Sequence, residues 1–469
     1  MQPIKNKYHI GILSLAMLIT GAIDSIRNLP STALFGSALV FYFILGAVTF
    51  LLPNALISAE LAGSKHGGGV YKWTSAAFGK KTGFLAIWLQ WINTMVWYPT
   101  ILSFIAGTAI YFIDPALGQN KVYLISIILL VFWGLTFLSL HGIAISTRFA
   151  SFCALFGMVA PMTLVLICGF LWIIMGHPSQ VSLHWSAMLP SFTSFDSWSS
   201  LTAITASFLG IELAAVHVNH LKAPGHDYPK ALIISIVIIL VTMILGSLTI
   251  AVIVPVDQIN LIDGVVQAFH YFLQAYHLGF LLPIMVVMII LGSTGSMISW
   301  VISPSKGLLQ SAQDGFLPRW ITKENKQGVA SHLLLIQACL VSLICIAFLI
   351  MPSVNGSYWL LTALSTQLYI LMYVLLLFAG IVLKWKNNIG GTGFRIWGGK
   401  GGTLFVGILG LIGCLIGLTV GFYPPGNINV GTLFHYEMVF SLGIALFILP
   451  CLPFYFYEAR QRTRSKSDR

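Results

Sequence analysis

Long apolar runs alternate with short polar connections along the whole chain. The runs cover 8–35, 36–62, 83–113, 122–141, 149–175, 198–221, 230–254, 280–312, 333–351, 357–384, 402–423 and 435–457. Each reaches the length of about 20 residues that a helix needs to cross the hydrocarbon layer. The pattern therefore predicts twelve membrane segments, numbered here 1 to 12 in that order. The stretch 263–278 reads as a short amphipathic piece before segment 8. Segment 1 follows Lys5 and Lys7, as the apolar core of a signal peptide would. It has no small-residue cleavage site and continues through Asp24 and Arg27, so it reads as a retained helix.

Charge then fixes an orientation. With the N-terminus in the cytoplasm, the connections after segments 2, 4, 6, 8 and 10 and both termini lie inside. Those regions and the segment ends that border them hold 22 of the 24 Lys and Arg residues, leaving Lys121 outside and Arg27 within segment 1. Basic residues concentrate on cytoplasmic loops, and a wrong segment count would scramble this arrangement. The expected location is the bacterial cytoplasmic (inner) membrane.

Composition agrees. Of 469 residues, 57% are hydrophobic and 8% charged, where soluble domains carry about 25% charged residues. Mean hydropathy is +0.90. No stretch is polar enough for a soluble domain, so residues 1–469 read as one integral membrane domain. The net charge of +11 is spread over loops and forms no nucleic-acid-binding face. Cys153, Cys168, Cys339, Cys345, Cys414 and Cys451 all sit in apolar runs and read as small buried hydrophobes. Neither a CxxC pair nor a metal-ligand spacing is present, and no catalytic residue, metal or cofactor is expected.

Two segments carry breaks. Segment 1 is interrupted at Thr20-Gly21-Ala22-Ile23-Asp24-Ser25, before Arg27-Asn28-Leu29-Pro30. Segment 6 is interrupted at Phe208-Leu209-Gly210-Ile211-Glu212. The breaks are five segments apart, so they occupy matching places in a 5+5 repeat. Unwound turns free backbone N–H and C=O groups that lipid cannot satisfy and that a zwitterionic solute can. Gly21 or Gly210 alone could equally serve close helix packing. Both breaks together, each with an acid beside it, favour a substrate site.

Four charges read as membrane-embedded: Asp24, Arg27, Glu60 and Glu212. Each costs at least about 2.5 kcal/mol near a helix centre, so each should face protein or a water-filled path. Glu60, near the cytoplasmic end of segment 2, suits an interfacial or packing role. Glu212, at the second break, suits proton carriage or gating, the alternative being hydrogen bonds to broken backbone. Asp24 and Arg27 stand at i, i+3 and suit mutual pairing; otherwise Asp24 could attract an amine and Arg27 a carboxylate.

Three motifs resemble the amino acid–polyamine–organocation transporters. The first is Ser58-Ala59-Glu60-Leu61-Ala62 followed by Gly67-Gly68-Gly69-Val70-Tyr71-Lys72-Trp73. The second is the segment 6 break with Val218-Asn219-His220-Leu221-Lys222-Ala223-Pro224 and Asp227-Tyr228-Pro229-Lys230-Ala231. The third is Pro304-Ser305-Lys306-Gly307 and Gln313-Asp314-Gly315-Phe316-Leu317-Pro318. Within the superfamily, Gly210 to Asn219, Ile259-Asn260-Leu261 and Ser299-Trp300-Val301 are similar to the glutamate/γ-aminobutyrate antiporters. The resemblance implies a LeuT-type fold with inverted repeats, segments 1–5 (about 8–175) and 6–10 (about 198–384). Segments 11 and 12 (402–457) and a basic tail (458–469) follow.

The resemblance also assigns residues. The two breaks mark Gly21, Ala22, Asp24, Ser25, Phe208, Gly210 and Ile211 as expected substrate contacts, and the resemblance adds Asn93 and Trp300, with proton coupling or gating at Glu212. Trp300 stands where arginine/agmatine relatives pack a tryptophan on substrate; ordinary aromatic packing is the alternative. Gln90, Asn93, Trp97 and Tyr98 mark where segment 3 contributes one substrate contact. The sequence departs from the family at Gly21-Ala22-Ile23-Asp24-Ser25, which replaces a Gly-Ser-Gly-type break, and at Ala206, where a gating tryptophan stands in arginine/agmatine antiporters. About a dozen residues follow segment 12, so the plug of the glutamate/γ-aminobutyrate antiporters is expected to be missing.

The expected function is amino-acid transport by alternating access, as an antiporter. Proton-coupled uptake through Glu212 is the alternative, and a non-transporting sensor a more remote one. The expected partners are small-molecule amino acids and the bilayer, with a homodimer left open. No enzyme signature such as HExxH or GxSxG occurs. His217 and His220 share a face and suit packing better than pH sensing.

Overall fold

A computed structural model describes residues 11–66, 69–141, 153, 155–190, 198–215, 221–387, 389–390 and 393–467. Among them the chain is helical, and strand-type pairing is confined to one isolated bridge, Glu324 with Ala330. Helix is the form that lets a lipid-embedded backbone satisfy its own N–H and C=O groups.

Nine helices among the described residues are long and apolar enough to cross a membrane. They are Gly36–Ala62, Lys80–Phe112, Lys121–Leu140, Phe156–Ile174, Gly225–Ile253, Ser331–Ile350, Val354–Trp385, Gly399–Val420 and Leu433–Arg460. The pair Ile12–Gly21 and Ile26–Ala33, bent by 41°, makes a tenth when taken as one broken span. Shorter apolar helices, Ser200–Leu213 and Gly279–Gly295, stand at the places of segments 6 and 8. Segment 8 as a whole is helical over Leu282–Leu309. The expected amphipathic piece is the helix Gly264–Ala275.

Segment 7 starts earlier than its hydropathy suggests, at Pro224 instead of residue 230. Pro224 takes the first helical position, where no N–H is needed. The polar residues that follow therefore form a helical turn ahead of the apolar run.

Segments 3 and 10 form the centre. Of their most apolar windows 78% and 67% are buried, against 11% for the last span, which lies at the periphery. Glycines set the closest approaches, as expected where lipid gives helices no hydrophobic drive to associate. A Cβ on Gly157 would collide with the backbone of Gly292, so segments 5 and 8 cross backbone to backbone. A Cβ on Gly413 would collide with the Thr49 carbonyl, joining segments 11 and 2. Two π-turns interrupt the spans, Ala47–Leu51 and Leu155–Val159, and the second contains Gly157.

Five of the six cysteines are buried, as their apolar settings suggest, and Cys339 is exposed. Gly67, Gly68, Arg148, His217, Val218, Asn219 and His220 lie outside the described residues.

Candidate functional site

The first half of segment 1 runs from Ile12 to Ile23. It stops because Asp24 and Ser25 adopt extended backbone, with φ −66°, ψ 124° and φ −146°, ψ 118°. The chain resumes as a tight turn over Ile26–Asn28 and a helix over Leu29–Ala33. Pro30 stands in the first turn of that second half, where its missing N–H costs no helical hydrogen bond. Gly21 and Ala22 are still helical, so the break begins at Asp24 and not at the expected Thr20-Gly21; the side chain of Ala22 lies outside the described ones.

Segment 6 runs as helix from Ser200 to Ser207 and resumes at Ile211. Between them Gly210 takes φ +99°, a conformation that a side chain would strain. Its N–H leaves the helix ladder and donates to the Tyr373 hydroxyl at 2.9 Å. Two residues on, the buried Glu212 carboxylate accepts from Gln90 Nε2 at 2.7 Å, from the Tyr369 hydroxyl at 2.6 Å and from the Tyr373 hydroxyl. Glu212 thus clamps segment 6 to segments 3 and 10 at the level of its break. Ile211 is buried beside it.

A second cluster gathers where segments 1, 3 and 8 meet. The Arg27 guanidinium lies 5.2 Å from the Trp97 ring centroid, a cation–π placement. Arg27 Nη1 donates to the Thr100 hydroxyl at 2.6 Å. Trp97 packs 5.4 Å from Trp300, whose carbonyl accepts from the Tyr98 hydroxyl at 2.6 Å. Arg27 Nε is buried without a hydrogen-bond partner.

Asp24 does not pair with Arg27, contrary to the i, i+3 expectation. The two extended residues turn the chain out of the helical geometry on which that spacing depends. One Asp24 oxygen accepts from the Thr242 hydroxyl of segment 7 at 2.8 Å, and Oδ1 is buried without a partner.

The remaining expected contacts are placed differently. Asn93 donates to the Ser365 carbonyl at 2.6 Å and to its hydroxyl at 2.8 Å, tying segment 3 to segment 10. Phe208 is fully buried with its ring 5.8 Å from Phe43 of segment 2. Ser25 is half-buried in the break. The structure therefore groups Gly210 and Glu212 in one cluster and joins Trp300 to Arg27 in another. Sequence reasoning missed Tyr369, Tyr373, Thr100 and Thr242. Tyr369 and Tyr373 stand four apart, on one helix face, in an otherwise aliphatic stretch, and that polar stripe was the available signal.

The motif at the end of segment 2 performs a different task. Glu60, almost fully buried, pairs with Lys384 of segment 10 and accepts from the Thr403 hydroxyl at 3.0 Å and the Ile396 N–H at 3.4 Å. This is the packing role expected of it, since all its partners lie near segment ends and loops.

With this geometry in place, the sequence matches the amino acid permease family model over residues 10–447. The chain belongs to the amino acid permease family. It is 38% identical over 444 residues to an uncharacterized transporter of Legionella pneumophila, covering 94% of this chain and 96% of that one. It is 28% identical to a glutamate/γ-aminobutyrate antiporter of Lactococcus lactis, covering 97% and 92%. In fold it is similar to a manganese transporter of Eremococcus coleocola, with a TM-score of 0.56, 15% identity, and coverage of 97% and 95%. The permease is thus a multi-pass membrane transporter of LeuT-type fold and not an enzyme.

Two of the permease motifs meet in space. Tyr71, after the glycine-rich turn, donates to Asp314 after segment 8, and Lys80 pairs with the same carboxylate. Burial and the neighbouring Asp314 charge push the Tyr71 hydroxyl above its usual range, so it remains a donor.

Proposed function

We propose that this permease is an amino-acid antiporter similar to the glutamate/γ-aminobutyrate exchangers, working by alternating access around the breaks in segments 1 and 6. The observation that carries this reading is the clamp at the second break. Gly210 gives its N–H to Tyr373 and Glu212 gathers Gln90, Tyr369 and Tyr373. A helix held open by side chains from two other segments is a two-state element that a bound solute can bias. Substrate contacts are assigned to Gly21, Ala22, Asp24, Ser25, Asn93, Phe208, Gly210, Ile211 and Trp300, with Glu212 as the gate. The likeness to glutamate/γ-aminobutyrate antiporters along nearly the whole chain supports the same class of cargo.

The orientation proposed puts both termini in the cytoplasm of a bacterial cell, on the strength of the 22 basic residues that fall on that side. The halves 8–175 and 198–384 act as the two repeats.

A second reading, proton-coupled uptake, is favoured by the burial of Glu212. Uptake of radiolabelled amino acids into proteoliposomes decides between them. Uptake that requires preloaded vesicles establishes exchange. Uptake into empty vesicles driven by an inward proton gradient establishes symport. No uptake of any amino acid by folded protein defeats both.

A further inference from the structure

The Arg27 cluster is not used by the clamp. Arg27 is a charged residue 6% exposed at a helix break, and Asp24, at the same break, is 7% exposed. Each keeps one buried polar atom with no partner, Nε of Arg27 and Oδ1 of Asp24. Buried donors and acceptors are almost always satisfied, and an orphan on a charged group is costly. Two orphans of opposite sign, three residues apart, flanking the one stretch of segment 1 that leaves the helix, call for an amphoteric guest.

The rest of the cluster holds the guanidinium in place and leaves Nε without a partner. Thr100 holds Nη1, the buried Tyr358 hydroxyl is hydrogen-bonded to the guanidinium and Trp97 covers one face, while Trp300 backs Trp97. Arginine held in this way offers its unpartnered Nε–H, already oriented, to a carboxylate. Asp24 is likewise held through one oxygen by Thr242, leaving the other to accept from an ammonium group.

We propose that Arg27 and Asp24 are the charge-reading residues of the substrate site, Arg27 taking the carboxylate and Asp24 the ammonium, so that the permease accepts zwitterions and rejects amines that lack a carboxylate. This rests on the transport reading above and narrows its substrate class. It also gives the side chains of segment 1 a recognition role beyond that of its freed backbone groups.

The test is ligand-induced thermal stabilisation of the purified full-length protein. The probes are amino acids paired with their decarboxylated amines: arginine with agmatine, ornithine with putrescine, leucine with isoamylamine. Glutamate is paired with γ-aminobutyrate, which keeps a carboxylate. In the unaltered protein, one or more carboxylate-bearing probes should bind, and the matching carboxylate-free amine should bind roughly tenfold more weakly or worse. Arg27→Gln should abolish binding of the carboxylate-bearing probe, Arg27→Lys should weaken it, and Asp24→Asn should weaken it independently. An amine binding the unaltered protein as tightly as its parent amino acid would overturn the proposal, and that comparison needs no variant to fold. Binding retained by a folded Arg27→Gln protein would overturn it too, with the transport reading intact. Failure of every probe would remove the transport reading itself.

Discussion

At the scale of single residues, the Glu212 clamp concentrates the most interdependent hydrogen bonds. Tyr373 both donates to Glu212 and accepts from Gly210 N–H. Tyr373→Phe leaves a buried amide and a buried carboxylate each short of a partner, at a cost of about 1–3 kcal/mol per orphaned group. The expected result is a lower unfolding temperature and slower transport in proteoliposomes. Glu212→Gln tests the proposed gate differently. Gln90, Tyr369 and Tyr373 all donate to this position, and a glutamine turns an NH2 group toward donors. Transport should fall by about tenfold or more, the equivalent of roughly 1.4 kcal/mol. A transport rate unchanged in Glu212→Gln would exclude a gating role. Gly210→Ala should be destabilising by about 1–3 kcal/mol, because φ +99° is strained for any residue with a Cβ.

At the scale of elements, the sequence was most informative where physics acts on one segment at a time. Apolar runs such as 36–62 and 357–384 coincide with the helices Gly36–Ala62 and Val354–Trp385 to within a few residues, because lipid leaves the backbone no alternative. Both breaks were legible for the same reason: Asp24 and Gly210 contradict an uninterrupted apolar helix. What crosses between elements was not legible. That Arg27 turns to Trp97 and Thr100 instead of Asp24 depends on backbone angles at two residues and on the register of segment 3. That Tyr369 and Tyr373 meet Glu212 depends on how segment 10 packs against segment 6. Gly157 belongs to this second kind. Its contact with Gly292 lies inside a π-turn, which shifts which face segment 5 presents. Gly157→Val should push segments 5 and 8 apart, with a loss of about 1–3 kcal/mol, read as a drop in unfolding temperature. Gly134→Val is the control, since nothing lies within 4 Å of a Cβ there.

At the scale of the whole molecule, buried charge is handled in two ways. Near the segment ends proposed to be cytoplasmic it is paired, as in Glu60 with Lys384. On the side proposed to face outward, Asp263 begins the helix Gly264–Ala275 with a single side-chain partner, the Tyr111 hydroxyl at 3.0 Å, and with Oδ1 buried and unsatisfied. Burial pushes this carboxyl up from 3.8 to about 6, against the smaller opposing pull of the Tyr111 bond. The sign of the consequence follows from linkage. Because the folded state holds this proton more tightly than the unfolded chain, folding carries no penalty below about pH 4, where both are protonated. The penalty grows as pH rises through the window from about 4 to about 6 and is complete above it. A rise from 3.8 to about 6 corresponds to about 3 kcal/mol. Asp263→Asn keeps an acceptor for Tyr111 and has no charge to bury, so it should lack this dependence. Unfolding temperatures of the two proteins should therefore diverge in favour of Asp263→Asn as pH is raised from 4 to 7. Parallel curves over that range would show that Asp263 is ionised without cost, and that water or a cation reaches it from the outer face.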